Sequence, residues 1–437
     1  MRAYPLNPTW QRPLAQDGQS FGTSVFVPAE QIDYRIVWLT LLAVGYNALL
    51  AIFNAHVAGI GFSAVAASEI VILAACVLVL LRSGLTPDSA NTLWFCCGFL
   101  GLALLVSLLN EKIFVDAFRN ALIITIFVCL GRRINFKTLD RTVLVCSSVV
   151  LGFLILELSS LTTYAGFFRP AQYFFATRGT EEFELDDSGL FRNALGFAGR
   201  FSFGIFDGPR TSSIFLEQVS AANYAGVLCV FLLALWPHLG KWSRLIHAST
   251  AILIIVSNNT RTTSILFLVS VMGYWIYPRL PKYLNVLLAP AIICMGVVVY
   301  LANPYAAGDD LVGRIAHTGQ IIVKMGFAEY AGMRISELGK LMDSGYPYVI
   351  YSSTVLGLIL HWLYVCFIVP QHTPEQRRCA YGLAVYTFMN LLIGGTAIFS
   401  IKVSAVLWLL VGFMSAPQRN SVLSTHSFAP VSGTVKP

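Results

Sequence analysis

The chain has 437 residues, of which 56% are hydrophobic and 12% charged, and its mean hydropathy is +0.70. Soluble domains carry charge on about a quarter of their residues, and half that share does not cover a particle of this size with water-compatible groups. This excludes a water-soluble globular enzyme, and the net charge of +7 is judged by its distribution along the chain rather than taken as a sign of nucleic-acid binding.

The apolar stretches run close to twenty residues without dyad alternation, which predicts an all-α polytopic membrane protein and not a β-barrel. Residues 1–34 are polar and lack the basic start, apolar run and cleavage site of a signal peptide, so the first span is expected to insert uncleaved. Five spans are predicted in 35–161, over 36–54, 59–81, 92–109, 113–131 and 143–161. A polar stretch, 162–212, follows. Spans six to nine are predicted in 213–301, over 213–236, 245–257, 262–277 and 283–301. A second polar stretch, 302–348, holds a helix-compatible segment from Leu311 to Leu341. The last three of about twelve spans are placed in 349–416, over 349–369, 380–394 and 403–414, the final pair being joined around Gly394, Gly395 and Lys402. Residues 417–437 form a tail. The nine cysteines lie in apolar spans, apart from Cys379 beside a basic loop, and give neither a disulfide framework nor zinc spacing.

Orientation follows from the basic residues, which accumulate in short cytoplasmic loops. Arg132, Arg133, Lys137 and Arg141 mark one such loop. Alternate connections after it carry Lys241 with Arg244, Arg279 with Lys282, Arg377 with Arg378, and Arg419. Counting backward places Arg82 and the N-terminus on the same side. Both termini are therefore expected in the cytoplasm, with 162–212 and 302–348 facing outward.

These outward stretches nevertheless hold Arg169, Arg178, Arg192, Arg200 and Arg210, then Arg314, Lys324, Arg334 and Lys340. The guanidinium fork suits bidentate binding of phosphate or carboxylate, which points to an outward anionic ligand. The competing reading pairs these cations with Glu181, Glu182, Glu184, Asp186, Asp187, Asp309, Asp310, Glu329, Glu337 and Asp343 on a solvated surface. Arg261 stands apart because Ser257-Asn-Asn-Thr-Arg261-Thr-Thr joins two spans too short to cross a core of about 30 Å untilted. A cation at that depth needs protein partners or a water-filled cavity. Asp116 and Arg119, one turn apart, are expected to neutralise each other.

Arg210-Thr-Ser-Ser-Ile-Phe-Leu-Glu217 leads into the sixth span, with Ser212 or Ser213 placed to cap its helix. Glu217 falls about one turn inside lipid, where Arg210 or Arg261 would be its partner, either as a structural pair or as part of a catalytic group. In the second stretch Arg314 and His317 would share a helical face, with His317 suited to accept a proton or simply polar surface. Phe167, Phe168, Tyr173, Phe174, Phe175, Phe191, Phe197, Phe201, Phe203 and Phe206 would stack on sugar rings or rest at the membrane interface. No metal-ligand spacing is present.

The order and placement of these features resemble the bacterial Wzy-type polysaccharide polymerases and the related O-antigen ligases, over roughly 36–414. The xanthan-type exopolysaccharide polymerases look nearest. The resemblance implies a multi-pass inner-membrane glycosyltransferase with two large periplasmic loops, acting without metal or cofactor. A growing glycan on undecaprenyl diphosphate would pass to the non-reducing sugar of another lipid-linked repeat, alongside a chain-length regulator and a flippase of the same pathway. Carried over, Arg210, Arg261 and Arg314 would bind diphosphate, His317 would be the base, and Glu217 would orient Arg210 or be the alternative base. Arg178 with Gly189 and Arg334 with Gly345 fit the family's Arg-to-Gly spacing of eleven residues. Gln218 departs from the proline that many relatives place there. A ligase would use the same residues. A lipid-linked oligosaccharide flippase is the alternative from another class, but the halves show no convincing repeat and the candidate charges cluster toward the outer side.

Overall fold

The computed structural model describes residues 31–179, 188–191, 194, 201–206, 208–306, 310–341 and 344–416. Among them every regular element is helical. The first seven α-helices are α1 (Tyr34–His56), α2 (Phe62–Ser83), α3 (Ala90–Leu109), α4 (Val115–Gly131), α5 (Phe136–Ser159), α6 (Leu161–Phe168) and α7 (Pro170–Arg178). Then come α8 (Gln218–Leu235), α9 (Lys241–Asn258), α10 (Arg261–Ile276), α11 (Leu288–Ala302) and α12 (Leu311–Lys324). The chain continues through α13 (Phe327–Tyr330), α14 (Gly345–Phe367), α15 (Pro374–Ile393) and α16 (Ile401–Ser415). Several starts are written in the sequence. Asp33, Asn135 and Asp310 accept backbone N–H groups as N-caps of α1, α5 and α12, and Thr373 with Gln376 builds a capping box ahead of Pro374.

Each predicted apolar segment overlaps one of these helices, though 213–236 and 283–301 begin in 3-10 turns and 143–161 runs past the end of α5. Seven helical stretches among the described residues are long and apolar enough to cross a membrane. Helices α4, α9, α10 and α16 are shorter, at 17, 18, 16 and 15 residues, while α15 opens on Glu375, Arg377 and Arg378. The outward faces of α2, α3 and α11 expose Ile70, Val71, Leu81, Trp94, Leu108, Val298 and Leu301. An apolar surface this extensive needs lipid against it.

The core is organised around α16, whose 15 residues are all buried. A helix apolar on every side is stable only when surrounded. It crosses α4 at two glycines. A Cβ on Gly412 would lie 2.2 Å from the Val128 carbonyl oxygen, and one on Gly131 would lie 2.2 Å from that of Leu409. Small residues at such a crossing let backbones approach and gain packing contacts that lipid does not supply.

Both polar stretches are more structured than their composition suggests. The first begins with α6 and α7, which bury Tyr164, Phe168, Tyr173 and Phe174, and Phe191 is buried as well. Those rings are packing residues, and sugar stacking is not open to them. Glu181, Glu182, Glu184, Asp186, Asp187, Arg192, Phe197 and Arg200 lie outside the described residues, as do Asp309, Asp343 and Arg419. In the second stretch the helix predicted from Leu311 to Leu341 breaks into α12, α13 and a 3-10 turn over Ile335–Leu341, because Gly326 and Gly332 interrupt it, the latter at φ +72°.

Candidate functional site

Arg210, Arg261 and Arg314 line one cavity of about 240 Å³. Five helix ends meet there: the start of α8 (Gln218, Val219, Ala222, Asn223), the end of α9 and the start of α10 with the turn between them (Asn258 to Thr263), the start of α12 (Leu311, Arg314) and the end of α15 (Asn390, Ile393, Gly394). The described lining residues include no carboxylate and no histidine. Amides and hydroxyls complete the wall, so the described lining is cationic and rich in hydrogen-bonding groups.

The turn is built by the chain around Arg210. Asn259 adopts the left-handed conformation at φ +50°, which asparagine tolerates better than most residues, and this reverses the chain between α9 and α10. Arg210 donates from Nε to the Asn258 carbonyl at 2.5 Å and from Nη2 to that of Asn259 at 3.2 Å, satisfying the end of α9. Asn258 Nδ2 donates to the Thr211 and Gln218 carbonyls at 2.7 and 2.8 Å, and Thr263 Oγ1 donates to the Ala222 carbonyl at 3.1 Å. The first turn of α10 faces the cavity, with no side-chain cap on its free N–H groups. Such a start attracts anions.

Arg261 is held differently from Arg210. Its guanidinium lies 5.1 Å from the centre of the Phe201 ring, and among the described residues no carboxylate is within ion-pair distance of it. Arg314 Nη1 reaches the Ile393 carbonyl at 3.4 Å. Gln218, only 2% exposed, lines this cavity too; its amide oxygen is buried with no partner among the described residues, while its Nε2 donates to the Arg210 carbonyl at 3.5 Å.

The structure corrects the expected surroundings of Glu217. Its carboxylate meets Arg178 Nη1 at 2.9 Å and Lys402 Nζ at 3.2 Å, and accepts from Ser220 Oγ at 2.8 Å; neither Arg210 nor Arg261 is its partner. Glu217 and Arg178 are not among the cavity-lining residues. The cap predicted at Ser212 or Ser213 is also displaced: Ser213–Phe215 is a 3-10 turn, Leu216 has φ +60°, and Glu217 is the N-cap position of α8.

His317 is exposed on α12 and is not a lining residue. The reason is rotational. Gly319 packs so closely on Gly296 of α11 that a Cβ would lie 2.1 Å from its carbonyl oxygen, and at about 100° per residue His317 then points away from that contact. Arg334 lies elsewhere, pairing with Glu329 at 2.9 Å and Glu337 at 3.6 Å. Backbone N–H donation to Glu329 holds that carboxyl below the ordinary carboxylate value. Arg119 pairs with Asp116 at 3.1 Å as expected, and also with Glu69 at 3.5 Å. Among the described residues no three His, Cys, Asp or Glu side chains converge as a ligand set.

Two residues that sequence reasoning passed over organise the site. Glu157, near the end of α5 and 3% exposed, accepts the backbone N–H groups of Ser212 at 3.0 Å and Ser213 at 2.7 Å. It thereby fixes the segment just after Arg210. Lys402, read only as part of a connector, is the buried cation on Glu217. Both are ionisable groups flanked by apolar residues, the signal that singled out Glu217. Replacing Glu157 with alanine strands two buried N–H groups at about 1–3 kcal/mol each. The expected result is a clear fall in the unfolding temperature of the purified protein, with Glu157→Gln intermediate; wild-type melting of both variants would show that the segment is held by other contacts. No protein-family model, curated protein or solved structure matches the chain.

Proposed function

We propose that the chain is an inner-membrane glycosyltransferase of about twelve spans that polymerises undecaprenyl-diphosphate-linked oligosaccharide repeats at the periplasmic face, with both termini in the cytoplasm. The observation that carries this reading is the convergence of Arg210, Arg261 and Arg314 with the first turn of α10 on one cavity. A lipid diphosphate leaving group develops negative charge as the glycosyl bond breaks, and preorganised guanidinium and N–H donors stabilise it without a metal. The helix ends that form the cavity are those that the alternation of basic loops assigns to the outer side. The amide and hydroxyl groups of Asn223, Asn258, Asn259, Thr260, Thr262, Thr263 and Asn390 in the lining suit the hydroxyls of a sugar. The described lining contributes charge and hydrogen bonds but no carboxylate or histidine to accept the proton of the acceptor hydroxyl, so deprotonation is assigned to a group outside it, with His317, one turn along α12 from Arg314, the sequence candidate.

The test is incubation of the purified protein with a lipid-linked repeat unit, followed by analysis of glycan length and free undecaprenyl diphosphate. A ladder of longer glycans with released lipid diphosphate supports polymerisation. Transfer to a lipid A core acceptor instead would make the protein a ligase, and movement of the intact lipid across liposomes without transfer would make it a flippase.

A further inference from the structure

Helices α8, α9 and α10 enclose a second cavity at the end opposite the arginines, about 440 Å³ in volume and apolar on almost every side. Leu232, Ile252, Phe267 and Val271 form its walls, and Trp236 and Tyr274 also line it. Its volume lies in the range of small-molecule sites, about 300–1,000 Å³. Ile252 and Val271 are 47% and 42% exposed, so the cavity opens sideways from the bundle, where the apolar helices require lipid.

Two guanidiniums stand over its aromatic lining. Arg244 lies 5.4 Å from the Trp236 ring centre, and Arg378 lies 3.9 Å from that of Tyr274 while donating from Nε to the Tyr274 carbonyl at 3.0 Å. Among the described residues neither has a carboxylate partner, and Arg244 Nε is buried with no acceptor. Of the acids on α5 and α15 at this end, Glu375 faces His238 at 3.7 Å and Asp140 accepts from Ser243 and faces His247 at 4.0 Å, and neither is an ion-pair partner of Arg244 or Arg378. Arg279 and Arg377 add further positive charge, each donating among the described residues to backbone carbonyls.

We infer that this groove binds an anionic phospholipid, with one acyl chain between α9 and α10 and the phosphate on Arg244 and Arg378. Charge complementarity selects the occupant. A neutral chain would fill the apolar walls but leave two partly buried guanidiniums without a counter-charge, whereas a phosphodiester supplies acceptors for both forks. Tryptophan and tyrosine at the mouth place it at headgroup depth. The site is independent of the arginine cavity and of the reaction proposed for it.

The experiment is native mass spectrometry of the full-length protein released from nanodiscs of equimolar phosphatidylglycerol and phosphatidylcholine. Wild type is expected to retain phosphatidylglycerol preferentially, and Arg244→Gln with Arg378→Gln together to cut that preference about thirtyfold. Ala248→Phe, which fills the groove and leaves both arginines, is expected to lower phosphatidylglycerol retention as well. Equal retention of the two lipids by wild type would overturn the proposal, as would wild-type phosphatidylglycerol retention in the double variant. Should the double variant fail to insert, unchanged retention in Ala248→Phe alone would overturn it.

Discussion

Replacing Arg261 with alanine is expected to lower glycosyl transfer from a lipid diphosphate donor by about a hundredfold or more, with protein level and unfolding temperature unchanged. The magnitude is that of removing one preorganised donor from a developing anion. The unchanged stability follows from its contacts. Its guanidinium rests against Phe201 and is within ion-pair distance of no carboxylate among the described residues, so the fold loses little when it goes. Arg210→Ala makes the contrast, because that side chain also satisfies the Asn258 and Asn259 carbonyls at the end of α9. It should lose activity and melt earlier. Arg261→Lys should fall between, retaining charge without the fork. Wild-type transfer by Arg261→Ala would remove the diphosphate from this cavity, whereas loss of transfer together with loss of folding would make Arg261 structural.

Why Arg261 was legible and Glu157 was not is a matter of chain distance. The turn announced itself locally: a cation and amides between two short apolar runs have few explanations. Arg210 and Arg314 were visible as guanidiniums on the outward side, yet nothing in their spacing said that α8, α12 and α15 would bring them to the same cavity. That convergence depends on how helices cross, and for α12 one such crossing is the close approach of Gly319 to Gly296 of α11. Helix positions were readable because hydropathy is a sum over neighbours. Partner choice for Glu217 was not, since Arg178 and Lys402 are 39 and 185 residues away. His317 failed to reach the lining for the same reason: sharing a face with Arg314 says nothing about which way the helix is turned. The aromatic run from Phe167 onward could not be sorted by composition either, because burial under α1 and α5 and contact with Arg261 draw on the same ring type.

Replacing Lys402 with methionine is expected to cost about 1–3 kcal/mol, the penalty for taking one charged hydrogen-bond partner from a buried carboxylate that keeps another. Lys402 is 2% exposed, and the Glu217 carboxylate it meets at 3.2 Å keeps only Arg178 and Ser220 once the ammonium is gone. Because the three charged residues join the end of α7, the start of α8 and the start of α16, the loss also loosens Gln218, the next residue and part of the cavity wall. Activity should therefore fall with stability, unlike the Arg261 variant. The double variant Glu217→Gln, Lys402→Met separates the causes. Removing both charges takes the carboxylate away together with its buried ammonium but leaves Arg178 without its partner, so the unfolding temperature should recover only in part, with a coupling energy above the 0.5 kcal/mol expected of independent sites. If the single variant melts like wild type, the ammonium is not neutralising Glu217 in the fold. A double variant that recovers stability but not transfer would mean that the triad positions the start of α8 for the reaction as well as holding it.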